Sequence, residues 1–222
     1  MGHLIELAAN DGHRFQAWRA DPSGRPRGGL VVAPEIFGVN SHMRAVTEAY
    51  AAAGYACLCP ALFDRARHGY ESGYAPGDIQ AGIALMQQVP MDSAMEDVKV
   101  CIAALSATGR VGIVGYCWGG TVAWVAAARL EGLACSIPYY GGGIHAQRQL
   151  HERCPVLFHF AEQDTSPTLA QAQEIAAAHP TALAHFYPAG HGFNCDQRGS
   201  WDAASATLAR ERSLAFLATH VG

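Results

Sequence analysis

Cys117, Asp164 and His191 stand along the chain in the order nucleophile, acid, histidine. Cysteine catalysis needs a base to take the thiol proton and an acid to orient that base. It also needs N–H donors for the oxyanion that forms when sulfur attacks a carbonyl. These residue types could therefore carry acyl transfer if the fold brings them together. Cys117 lies in Val111-Gly112-Ile113-Val114-Gly115-Tyr116-Cys117-Trp118-Gly119-Gly120, an apolar run ending in Gly-x-Cys-x-Gly, and an Ala-rich helical stretch follows from 121 to about 130. This is the pattern of a nucleophile elbow, a sharp strained turn from strand to helix, with cysteine where serine is commoner. Side chains two residues either side of the nucleophile would collide in such a turn, so Gly115 and Gly119 meet a steric need. The turn also sets Cys117 at a helix N-terminus, where the dipole favours thiolate over thiol. Singly, each residue has a plainer reading: a buried cysteine in an ordinary turn, a turn aspartate, an exposed loop histidine.

The elements that must position them alternate between strand and helix. Residues 3–8 and 14–20 read as a hairpin around Asn10-Asp11-Gly12. The continuous apolar run 29–33 reads as a strand buried on both faces, ending at Pro34-Glu35-Ile36-Phe37-Gly38-Val39-Asn40. Ser41 opens a helix to about residue 53, with Gly54 as the residue that ends it. A strand at 55–59 leads into an irregular stretch, 60–76, long enough to read as a functional loop. Two amphipathic helices follow at 78–89 and 92–105, and their apolar stripes (Ile79, Ile83, Met86; Met95, Val98, Ile102) read as core. Beyond the elbow come strands at 133–140, 155–160 and 182–187. Ser166-Pro167 reads as N-cap and first turn of a helix to about 178, and a last helix spans about 201–218. This succession predicts an α/β fold, a mostly parallel central sheet with helices on both faces, as one domain over 1–222. Ligands in such sheets bind beyond the carboxyl ends of the strands. Glu35, Cys117, Asp164 and His191 all fall at such ends. His159, inside a strand, reads as a satisfied core histidine, and His13 and His68 lack matching context.

Composition narrows the classes. The formal net charge is −4 and no basic block stands out, which argues against nucleic acid or a membrane surface as partner. No apolar run is long enough to span a bilayer, and the N-terminus does not read as a secretion signal. The seven cysteines are odd in number, lie mostly in apolar runs and form no Cys-x-x-Cys, so free thiols in a reducing cytoplasm are expected, with no metal and no cofactor.

The chain resembles the dienelactone hydrolase family of α/β-hydrolases over nearly its whole length. The likeness is most specific in Glu35-Ile36-Phe37-Gly38-Val39-Asn40, Gly115-Tyr116-Cys117-Trp118-Gly119-Gly120, the segment ending at Asp164, and Gly190-His191-Gly192-Phe193. The resemblance implies Cys117 as nucleophile, His191 as base, Asp164 as its orienter, and Glu35 as the glutamate that contacts the resting thiol. It implies the backbone N–H groups of Ile36 and Trp118 as the oxyanion hole. It further implies opening of a small lactone or ester, with dienelactone giving maleylacetate, through a thioester. Two arginines that hold the substrate carboxylate in the family are missing: Cys195 stands four residues beyond His191, and no arginine stands near Asp78 and Ile79. Arg65, Arg67 and Arg198 are the available substitutes, though each reads more simply as a solvated surface arginine. Arg65, Tyr74 and Arg198 are the candidate substrate-binding residues. An anionic dienelactone and another lactone or small ester both remain open, as does a broad-range esterase or thioesterase on the same scaffold. A catalytically idle binding module would have no need to keep all three triad residues.

Overall fold

In the computed structural model, which describes residues 2–222, one eight-stranded sheet carries the chain. Its strands are β1 (His3–Ala8), β2 (Arg14–Ala20), β3 (Gly29–Ala33), β4 (Ala56–Pro60), β5 (Val111–Tyr116), β6 (Leu133–Tyr139), β7 (Leu157–Ala161) and β8 (Leu183–Tyr187). They lie in the order β1-β2-β4-β3-β5-β6-β7-β8. β1 and β2 form the expected hairpin, β2 pairs antiparallel with β4, and every later pairing is parallel. The helices are α1 (Ser41–Ala52), α2 (Pro76–Met86), α3 (Met91–Leu105), α4 (Trp118–Arg129), α5 (Leu169–Ala178) and α6 (Ala203–His220). None is long and apolar enough to cross a membrane.

Two cores flank the sheet because side chains alternate along each strand. Val31, Ala33, Leu58 and Ile113 pack against α3 and α4 on one face. Leu30, Val32, Cys57, Val114 and Ile137 pack with α1 and α6 on the other. His159 is fully buried, with Nδ1 on the Tyr187 hydroxyl at 2.8 Å and Nε2 on Ser213 Oγ at 3.0 Å. Burial, then the charges of His185 and Arg212, holds its imidazole well below the ordinary range, so it is the neutral core histidine expected.

Two local expectations differ from the structure. The helix after β7 does not begin at Ser166-Pro167. The Ser166 N–H is taken by Asp164 Oδ1 at 2.8 Å, and Thr168 caps α5, exchanging bonds with Gln171 in a capping box. Ser41 opens α1 as expected, and Asn40 before it is the cap, its Oδ1 accepting from the Met43 N–H at 3.1 Å. The irregular stretch 60–76 contains a 3-10 turn, Leu62–Arg65, and packs beneath the cavity rather than into it: Phe63 stacks on Trp118 with ring centroids 4.9 Å apart.

Candidate active site

β5 delivers Cys117 to the start of α4 with φ +55°, a left-handed backbone that a β-carbon strains. Its neighbours explain why the sequence is glycine-rich there. A β-carbon on Gly115 would collide with the Gly119 carbonyl, and one on Gly119 with the Ala33 carbonyl. The elbow is therefore wedged between β3 and its own helix, and the sulfur is left partly exposed.

Beside it, the loop after β8 presents His191 and the loop after β7 presents Asp164. His191 Nδ1 lies 2.8 Å from Asp164 Oδ2. Burial opposes a charge on this imidazole. The charge of Cys117 and hydrogen bonds to Asp164 and to Cys117 outweigh that penalty and push His191 up to about 10. The arrangement thus favours an imidazolium beside the Cys117 sulfur. At the turn, neither the Ile36 nor the Trp118 N–H donates to another protein group among the described residues. Trp118 is the first residue of α4, where a free N–H is expected.

Glu35 is buried beneath this group. Its Oε2 accepts from the Tyr74 hydroxyl at 3.2 Å, and Arg198 Nη1 stands 3.5 Å from its Oε1. The structure gives Glu35 no hydrogen bond to Cys117, so the contact with the resting thiol implied by the resemblance is not made in this arrangement. One atom each from Glu35, His42 and Cys195 lie within 4.8 Å of one another, a donor set that could suit a metal. The Arg198 guanidinium already brings positive charge to that carboxylate, which weighs against a dication there.

Cys117, Asp164, His191, Ile36, Trp118 and Arg198 border one cavity of about 690 Å³. Ile79, Ile83 and Met86 of α2 form its apolar wall together with Val89 and Met91; Ile79 and Met86 also pack against the core as expected, whereas Ile83 is exposed. A helical stripe looks the same whether it faces a core or a cavity, and period alone could not tell them apart. No residue of 60–76 lines the cavity among the described residues. Of the three candidate substrate-binding residues, one reaches it. Arg65 faces away, gripping Asp97 through Nε at 2.9 Å and Nη2 at 2.7 Å and Asp11 through Nη1 at 2.7 Å. Tyr74 spends its hydroxyl on Glu35 and Asn40 behind Phe37. Arg198 opens onto the cavity with its guanidinium over the Phe37 and Tyr74 rings, 5.6 and 5.8 Å from their centroids. Neither Arg65 nor Arg198 is a solvated surface residue. Arg67 lies over the Tyr70 ring.

The strand order, with a strained nucleophile-type turn after β5 and an acid and a histidine after β7 and β8, defines an α/β-hydrolase. The family model of the dienelactone hydrolase family matches residues 15–221, and the chain belongs to that family. It is 33% identical to carboxymethylenebutenolidase 1 of Cupriavidus pinatubonensis over 226 residues, covering 96% of this chain and 95% of the relative. It is 34% identical to carboxymethylenebutenolidase of Pseudomonas putida over 227 residues, with the same coverage. A crystal structure of a candidate dienelactone hydrolase from Klebsiella pneumoniae superposes with a TM-score of 0.84 at 26% identity, covering 98% of this chain and 99% of that one. The protein is accordingly a carboxylic ester hydrolase of this family.

Proposed function

We propose that the protein opens small lactones or esters through a thioester on Cys117. The observation that carries this reading is the strained Cys117 beside a His191–Asp164 pair, at the wall of a cavity with two free N–H donors. The thiolate attacks the carbonyl carbon, and the oxyanion rests on the Ile36 and Trp118 N–H groups. The acyl C–O bond breaks, and the departing oxygen takes the proton held on His191. Water then attacks the thioester, giving its proton to the now neutral His191, and the carbon–sulfur bond breaks to restore the thiolate. Asp164 holds the imidazole in register throughout.

The relatives' name denotes a lactone with a carboxymethylene arm. Arg198 supports such a substrate, because it is the only arginine or lysine on the cavity wall among the described residues. Its long contact with Glu35 leaves guanidinium donors to spend on a carboxylate. The α2 wall favours a second reading, a broad esterase for neutral acyl groups. Seven unpaired thiols support a cytoplasmic setting for either activity. Measuring kcat/KM for cis- and trans-dienelactone beside neutral lactones and short p-nitrophenyl esters decides between them. A strong preference for dienelactone supports the first reading, and better turnover of neutral esters supports the second.

A further inference from the structure

Tyr140 is the first residue after β6, and its φ is +35°, a left-handed conformation rare for an aromatic residue. Strand alternation would send Tyr139 and Tyr140 to opposite faces of the sheet. The left-handed backbone instead turns Tyr140 back into the same aromatic cluster as Tyr139 and Phe193, with its ring centroid 5.1 Å from that of His191. A backbone strained in this way persists only where its surroundings over-determine it, and such outliers gather at active sites.

The side chain is fully buried, and its hydroxyl has no hydrogen-bond partner among the described residues. That sets it apart from the other tyrosines. Tyr50 pairs with Tyr116, Tyr55 with the Gly222 carbonyl, Tyr70 with Ser72, Tyr74 with Glu35, Tyr139 with Ser213 and Tyr187 with His159. A buried donor left unspent costs stability and calls for an explanation.

Burial, followed by the charges of Glu35, Cys117 and Cys195, holds the Tyr140 phenol protonated well above its ordinary range, against a smaller opposing effect of Arg198. The group is therefore a permanent donor among potential anions. The charged or titratable groups around it are Glu35 after β3, Tyr116 and Cys117 at the end of β5, Tyr139 of β6, and His191, Cys195 and Arg198 after β8. Glu35 already accepts from Tyr74 and faces Arg198, whereas the sulfur has His191 alone.

We propose that Tyr140 is a further catalytic residue: its buried hydroxyl, aimed by the left-handed backbone into the His191 side of the site, donates a hydrogen bond to the Cys117 thiolate. This rests on the reading of Cys117 as nucleophile. The bond is unmade in the present arrangement, where the hydroxyl is unpartnered among the described residues. It joins the imidazolium in stabilising the thiolate, so the nucleophile stays ionised before substrate arrives.

The test is the pH dependence of Cys117 alkylation by iodoacetamide, followed by peptide mass spectrometry in the wild type and in Tyr140→Phe, Glu35→Gln and the double variant. In Tyr140→Phe the midpoint should rise by about one pH unit, with alkylation below it about tenfold slower. Thermal stability should hold or increase, because the orphaned hydroxyl is gone. The shift should persist in the Glu35→Gln background. Superimposable curves for wild type and Tyr140→Phe would overturn the proposal. So would a shift that vanishes with Glu35→Gln, since the phenol would then serve the carboxylate. Failure of the underlying nucleophile reading shows separately, as ester turnover retained in Cys117→Ala.

Discussion

Arg65 and Arg198 each sit, largely buried, against a fully buried carboxylate, yet the two pairs are built for different ends. Arg65 meets Asp97 with two nitrogens at 2.7 and 2.9 Å and turns a third to Asp11, so its donors are spent inside the protein. Arg198 meets Glu35 through one nitrogen at 3.5 Å, rests on two aromatic faces and borders the cavity. The tight fork joins the 60–76 stretch to α3, while the loose contact leaves most guanidinium donors of Arg198 uncommitted at the cavity wall. The Asp97 pair is not a free gain. Burial raises the Asp97 carboxyl by more than Arg65 lowers it, so desolvation is offset only in part.

Breaking the tight pair should give the largest effect. Arg65→Ala leaves Asp97 buried and alone and should cost about 3–5 kcal/mol in chemical denaturation, while kcat/KM of the folded fraction stays near wild type. A double replacement of Arg65 and Asp97 by apolar residues of similar volume should come out near neutral in the same assay. Breaking the loose pair should do the reverse. Arg198→Ala should lower kcat/KM for carboxylate-bearing lactones by about 10- to 100-fold, with neutral esters within a few-fold and little loss of stability. An equal loss on both substrate types would remove Arg198 from substrate recognition.

A third outcome concerns the proton carried by His191. The imidazole is raised from 6.5 to about 10 on folding, so its proton adds stability fully below pH 6.5 and loses that contribution as pH rises through about 10. NMR titration should find His191 near 10 in the wild type and markedly lower in Cys117→Ala, and the alkaline limb of kcat/KM should follow the wild-type value. The smallest effect falls on Gly192, whose φ is +76° and whose β-carbon would strike the Arg198 guanidinium. Gly192→Ala should displace that flexible head and strain the backbone beside His191, raising KM for anionic lactones a few-fold more than for neutral esters.

What could be read ahead of the structure tracks how local its cause is. The elbow was legible because Gly115 and Gly119 answer a collision between near neighbours. Asp164 and His191 were legible because strand ends of a parallel sheet converge on one edge. The sheet, its hairpin and six helices follow from period and turn chemistry for the same reason. The contrast between Arg65 and Arg198 was not legible, because each depends on a carboxylate distant in sequence: Asp97 for one, Glu35 for the other. Tyr140 carried no signal either, since a left-handed backbone at a tyrosine has no compositional mark. Ser166-Pro167 misled because a local cap pattern lost its N–H to the Asp164 carboxylate.

The proposed reaction turns on a thioester at Cys117, which intact-protein mass spectrometry would reveal. The enzyme is mixed with a slowly turned-over ester and quenched in acid within a single turnover. The expected result is an added mass equal to the acyl group, mapping to the Cys117 peptide, with neither adduct nor turnover in Cys117→Ala beyond about a ten-thousandth of wild type. Turnover in the Cys117→Ala variant at a rate near wild type, with no acyl mass on the peptide, would contradict it.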